Sequence, residues 1–335
     1  MFLLDLTKFL STFTMIILIT KYRLIRYLRN LTIKKNIMSN QSAKLTPSIF
    51  LFFVLYSCGD ASNSKSSKSE SAEFETAKNQ MTEDVNALLS SFPPPSEIPY
   101  LLMATGSDFD GNAVNDLSKI DNYTREVAKS AINIGVYTTD IGYLISYDKT
   151  QPALEYIGAC QKLSETVGVN SVVDLEFLLR FEENLLNKDS LKTLVDEASN
   201  QSNKLLESTG RLDVASLILS GSIIEGLYLS TQLIKNYPED TPAEIRDLIL
   251  EPLIKVVIDQ KEGLNKLIEI VKKFDDSQAL SSLLADLNKI KLIYDSELVE
   301  VSAQIASNTG DMMLQSKVLD HLTAEISRIR NSLVQ

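Results

Sequence analysis

The sequence predicts an all-α fold, a multi-helix antiparallel bundle, with a tetratricopeptide-like helical superhelix as the alternative. Three observations predict it. From residue 73 onward, apolar side chains recur at spacings of three and four, and no segment alternates as a strand does. Glycine and proline are few, 12 and 9 in 335 residues, and most of the prolines sit where helices must stop or start. The resulting helices are joined by short turns, which makes consecutive helices antiparallel. A repeat of about 34 residues with its signature positions cannot be found, which counts against the superhelix.

Taken in order, a helix begins near Glu73 and ends before Pro93-Pro94-Pro95, because proline cannot continue it. Residues 99–111 read as irregular chain or a single turn. Asp121 is a plausible N-cap for a helix running to Tyr147. Thr150-Gln151-Pro152 restarts a helix that ends near Val167. Ser171 to Asp174 resembles a capping box for a helix ending near Asn187. Asp189 caps the next, and Gly210 is a natural residue just past its end. Leu212 to Asn236 follows, closed by Pro238. Thr241-Pro242-Ala243-Glu244 is the best start signal in the chain, opening a helix to Phe274 that Pro252 should bend. Ser277 opens a seam from Leu280 through Leu287, Ile290 and Tyr294 to Ile305, and a last helix follows Gly310 with its seam ending at Ile326, Ile329 and Leu333.

The N-terminal region has a different character. Leu55-Tyr56-Ser57-Cys58 closes the apolar run from Leu45 and resembles the lipobox of bacterial lipoproteins. That resemblance implies export, cleavage before Cys58, and attachment of acyl chains to its thiol. Residues 38–57 then form the signal peptide, with an apolar core too short to span a membrane. Residues 1–37 read as a misassigned N-terminal extension ahead of a true start at Met38. Residues 58–72 are Ser/Lys-rich, cannot build a core, and read as a disordered tether. Residues 73–335 form one helical domain. Gly59 after the cysteine resembles the signal for passage to the outer membrane, so the bilayer is the first expected partner. Each buried methylene contributes about 0.8 kcal/mol, so two or more acyl chains anchor stably.

The whole chain carries 33 basic and 44 acidic residues, and loss of residues 1–57 removes eight of the former and one of the latter. The remaining excess of acid repels nucleic acid, which is excluded as a partner. With one histidine, His321, and Cys160 as the only thiol beyond Cys58, neither metal-ligand spacing nor a nucleophile-base pair is present. No metal and no cofactor are expected.

The candidate polar site rests on two helices. Val214 to Ile234 is the most apolar segment after the leader, with Glu225 as its single charge. A buried anion needs a partner, and Arg180, flanked by Leu178, Leu179 and Phe181, is the expected one. Gly221 and Gly226 lower helix propensity by about 1 kcal/mol each relative to alanine, so both are expected to permit close packing. On the helix from Asp121 to Tyr147, the residues Tyr137, Asp140, Tyr143 and Tyr147 share one face. Asp140, Arg180 and Glu225 are expected to converge inside the bundle, with Tyr228 nearby. The segments SFPPPSEIPYLL, GVYTTDIGYLISYDKTQ and GSIIEGLYLS are similar to those of uncharacterised helical bacterial lipoproteins, a resemblance that implies the same fold class and supplies no activity to carry over. The functional expectation is a binding or scaffold module for an unknown protein or small-molecule partner. The alternative is a hydrolase of envelope glycans using Asp140 and Glu225, which would need both carboxyls in an open groove.

Overall fold

A computed structural model describes residues 76, 79–80, 82–87, 92, 94–238, 241–274, 277–306 and 319–335. The expected extension 1–37, signal peptide 38–57, acylated Cys58 and tether 58–72 lie outside the described residues. Residues 82–87 are helical. Beyond them come α1 (Glu97–Ala104), a 3-10 turn (Leu117–Lys119), α2 (Ile120–Tyr123), α3 (Val127–Ser146), α4 (Thr150–Val167), α5 (Leu175–Glu183), α6 (Lys188–Ser208) and α7 (Leu212–Lys235). The chain continues with α8 (Ala243–Val271) and a 3-10 turn (Lys272–Phe274), then α9 (Gln278–Ser296), α10 (Val299–Ala306) and α11 (Asp320–Leu333). Among the described residues there is no strand, and the protein is all-α.

Several boundaries follow their local chemistry. Gly168 ends α4 and Gly210 follows α6 with φ of +81° and +70°, the left-handed conformation that costs glycine least. Asp174 caps α5 by accepting from the Phe177 amide, so the capping-box reading is displaced: Asp174 itself is the cap and α5 stops at Glu183. Asn187, not Asp189, caps α6 through the Ser190 amide. The expected irregular stretch 99–111 contains most of α1. Pro99 falls in its first turn, where the missing N–H would have had no helical acceptor. The helix expected from Asp121 is divided at Thr124–Glu126. Tyr123, fully buried, donates its hydroxyl to the Val334 carbonyl, and the Ser130 hydroxyl caps the Tyr123 carbonyl, so tertiary contacts override the local pattern. The seam from Leu280 is likewise broken, between α9 and α10.

Side-chain contacts fix how the helices run. Thr166 reaches back to Thr124 while Tyr156 meets Tyr137 edge-on, so α3 and α4 are antiparallel. Gln260 bonds Ser230 while Ile270 packs with Leu212, making α7 and α8 antiparallel. Tyr294 donates to the Val257 carbonyl and Lys261 pairs with Asp295, which ties α8 to α9. Arg328 pairs with Asp286 and His321 with Glu297, so α9 and α11 run oppositely. Gln232 meets Ser327, and Glu225 meets Arg330, so α11 also runs against α7.

At the centre, α3 crosses α7. A Cβ added at Gly135 would lie 2.7 Å from the Ser222 amide nitrogen and closer still to the Ile218 carbonyl oxygen. One at Gly221 would run into the Ile132 carbonyl. The two backbones therefore touch, and the Ser222 hydroxyl donates across the crossing to the Gly135 carbonyl at 3.1 Å. Helix α7 is long and apolar enough to cross a membrane by composition, yet 67% of its most apolar window is buried among other helices. Its hydrophobic surface is spent on this core.

Candidate functional site

The polar centre forms where α3, α7 and α11 meet. Glu225 Oε2 accepts from Arg330 Nε at 2.9 Å, and Oε1 accepts from Nη2 at 2.9 Å. This two-pronged geometry is the strongest form of the contact. The Arg330 guanidinium also lies 4.5 Å from the Tyr228 ring centroid and donates to the Ala113 carbonyl. Burial works against the Arg330 cation, but the Glu225 charge outweighs it and holds its pKa above the ordinary value.

Asp140, on α3, adjoins the same carboxylate. Its Oδ2 accepts from the Asn115 amide at 3.0 Å, and no donor points at Oδ1. Burial, then the charge of Glu225, push Asp140 well above the usual carboxyl range, against the pull of Arg330 and the Asn115 amide. This favours the neutral form of Asp140 beside the Glu225 carboxylate. Burial raises Glu225 too, while the charge and hydrogen bonds of Arg330 and the hydrogen bond from Asp140 hold it down. Glu225 is the anion of the pair.

These groups are consumed by one structural task. Residues 107–116 are irregular chain passing over the helices, and their backbone groups need partners. Tyr143 Oη accepts from the Asp110 amide, Arg330 serves the Ala113 carbonyl, and Tyr156 donates to the Asn115 carbonyl at 2.7 Å. Tyr137 donates to the Asp116 carbonyl at 3.1 Å, and Tyr147 shares a hydrogen bond with Ser107. Desolvation raises the pKa of Tyr137, Tyr143, Tyr147 and Tyr228, so all four are neutral phenols. Asp140 and Glu225 have no exposed surface.

Asp140, Glu225 and Tyr228 thus converge, but Arg180 does not join them. It projects from α5 into solvent and pairs with Glu197 at 3.1 Å, both side chains about half exposed. Its apolar neighbours in sequence misled because adjacent helical residues point about 100° apart; Leu179 beside it is itself exposed. The true partner, Arg330, stands four residues after Ile326 on the buried seam of α11, and that position is the signal that marks it. Asn115 carries no such signal. Cys160 is buried, and desolvation pushes its thiol up to about 12, which removes it as a nucleophile.

A second feature lies apart from the polar centre. A cavity of about 680 Å³ opens between α3, α4, α6, α7, α8 and the residues leading into α1. Its size falls within the range of roughly 300–1,000 Å³ usual for small-molecule sites. The apolar wall includes Ile134, Ile157, Phe177, Ile218, Ile223 and Val256. Three of its hydroxyls are engaged, Thr138 with the Ile134 carbonyl, Thr139 with that of Gly135 and Ser164 with that of Gln161, while Ser199, Ser202 and Asn203 of α6 add a polar stretch to the lining. Gly226 belongs to this wall. A Cβ there would meet nothing nearer than 3.7 Å, so Gly226 leaves room beside the cavity instead of permitting a helix crossing. Among the described residues no group of His, Cys, Asp or Glu side chains could hold a metal. Comparisons of the chain with protein-family models, with curated proteins and with solved structures found no significant match, so its functional reading rests on this geometry.

Proposed function

We propose that the protein is a binding module of the cell envelope, anchored in the outer membrane through acylated Cys58, that holds a small apolar molecule in the cavity beside α7. The observation that carries this reading is the cavity itself: about 680 Å³ with aliphatic side chains of α3 and α7 along one wall and polar side chains of α6 and α8 along the other. Burial of apolar ligand surface against such a wall is favourable without any further polar contact. The ionisable groups that a glycan hydrolase would use are sealed under residues 107–116 and engaged with one another, so the binding reading accounts for both regions of the fold.

Two measurements test it. Protein made from its own gene is released from membranes in mild detergent and weighed by native mass spectrometry. The expected result is a diacylglyceryl-modified species beginning at residue 58 together with a co-purifying apolar molecule. Binding of the neutral fluorophore N-phenyl-1-naphthylamine to the full chain carrying Cys58→Ser should be lost when Gly226→Leu fills the cavity. An unacylated protein refutes the anchor, and fluorophore binding unchanged by Gly226→Leu refutes the cavity as the site.

A further inference from the structure

We infer that the cavity takes a single-chain amphiphile bearing a cationic head group; this rests on the binding reading above and names its ligand. Three features of the site lead there. The first is size. The volume of about 680 Å³ is that of a site for one small molecule. One alkyl chain with a compact head is a ligand of that size class. The second is shape: the lining on α8 extends from Val256 to Lys266, which is about 15 Å at 1.5 Å per residue. The α8 side chains on that stretch, Asp259, Gln260, Glu262 and Lys266 among them, are polar, so the alkyl chain lies against the aliphatic side chains of α3 and α7 with its head group toward α8.

The third is charge at the opening. The exposed lining residues Glu97, Asp259 and Glu262 face one basic side chain, Lys266. Lys266 is taken up by Glu262 at 2.8 Å, and Asp259 pairs with Lys255 at 3.1 Å. Glu97, at the first position of α1, has no counter-ion among the described residues. The polar end of a bound ligand therefore meets a net negative rim with one uncompensated carboxylate. A cation is favoured there, and a fatty-acid anion is repelled.

The test is displacement of N-phenyl-1-naphthylamine from the full chain carrying Cys58→Ser. The competitors are alkyltrimethylammonium, alkanol and alkanoate series of matched chain length, each below its micellar range. Alkyltrimethylammonium should displace best and alkanoate worst, by at least tenfold. Affinity should rise about fourfold per added methylene until the cavity is full. Glu97→Lys should reverse the order of the cation and the anion, each read relative to the alkanol of the same chain length in the same variant. If the fluorophore binds but alkanoate competes as well as the cation, or Glu97→Lys leaves the order unchanged, the inference fails and the binding reading stands. If the fluorophore does not bind, both fail.

Discussion

Replacing Arg330 by methionine removes the guanidinium while keeping a flexible apolar side chain in its place. Both charge-assisted bonds to Glu225 are lost, and an anion with no exposed surface is left beside Asp140 without its cation. Removing one member of a buried pair costs about 3–5 kcal/mol, and loss of the cation over Tyr228 adds about 0.5–2 kcal/mol. Glu225 can limit the loss by taking up a proton. That escape costs about 1.4 kcal/mol for each unit by which the pH exceeds its pKa. In the variant the folded state therefore holds a proton that the unfolded chain releases, so the deficit is smallest near pH 5 and grows toward pH 8. A loss of about 4 kcal/mol lowers the unfolding temperature of a chain this size by roughly 8–16 °C. Because the chain has no tryptophan, far-UV circular dichroism is the natural probe of thermal unfolding. Arg180→Met is the control: its exposed pair with Glu197 is worth about 0–1 kcal/mol. Combining Glu225→Gln with Arg330→Met should recover much of the loss, since no uncompensated charge remains. Equal effects of Arg330→Met and Arg180→Met, or a penalty that does not depend on pH, would refute the assignment of Arg330 as the counter-ion.

Three further outcomes are expected. Asp140 keeps its proton in the folded state at pH values where the unfolded chain has lost it, so it makes stability fall as pH rises above about 4, by up to about 1.4 kcal/mol per unit. Asp140→Asn keeps a donor toward Glu225 and an acceptor for the Asn115 amide, so urea titrations across pH should show a flatter profile and greater stability at neutral pH. A steeper profile would place the shared proton elsewhere. Gly221→Ala and Gly226→Ala should have opposite signs. The first drives α3 and α7 apart at about 1–3 kcal/mol for overpacking, whereas the second gains about 1 kcal/mol of helix propensity with its Cβ at ordinary contact distance from Gln260 and Ile98; urea midpoints that move in the same direction would contradict the crossing. Finally, Cys160 should resist iodoacetamide in the native protein and react on unfolding, as followed by mass; rapid native labelling would contradict its burial.

How much could be read beforehand depends on the kind of feature. Helix α7 was readable nearly to the residue, because an uninterrupted apolar run between Gly210 and Pro238 has both its content and its limits in local chemistry. Glu225 was readable as a buried charge for the same reason: one acid in such a run has nowhere else to go. Its partner was not, since Arg180 and Arg330 both adjoin apolar residues, and only the rotation of each helix against its neighbours puts one in solvent and the other in the core. The breaks after Tyr123 and Ser296 have no glycine or proline to announce them. The first is held by Tyr123 reaching the C-terminal residues, a contact more than two hundred positions away.

The amino-acid order by itself determined the all-α class, most helix limits, and the helix on which the central anion lies. These follow from periodicity, caps and the cost of exposing apolar surface, all of which act within a few residues. Only the tertiary arrangement decided that Asp140, Glu225 and Arg330 share one sealed site, that Gly135 and Gly221 form a crossing while Gly226 lines a space, and that a cavity exists at all. A cavity is defined by where side chains from several helices fail to meet, and no single segment of chain encodes that distance.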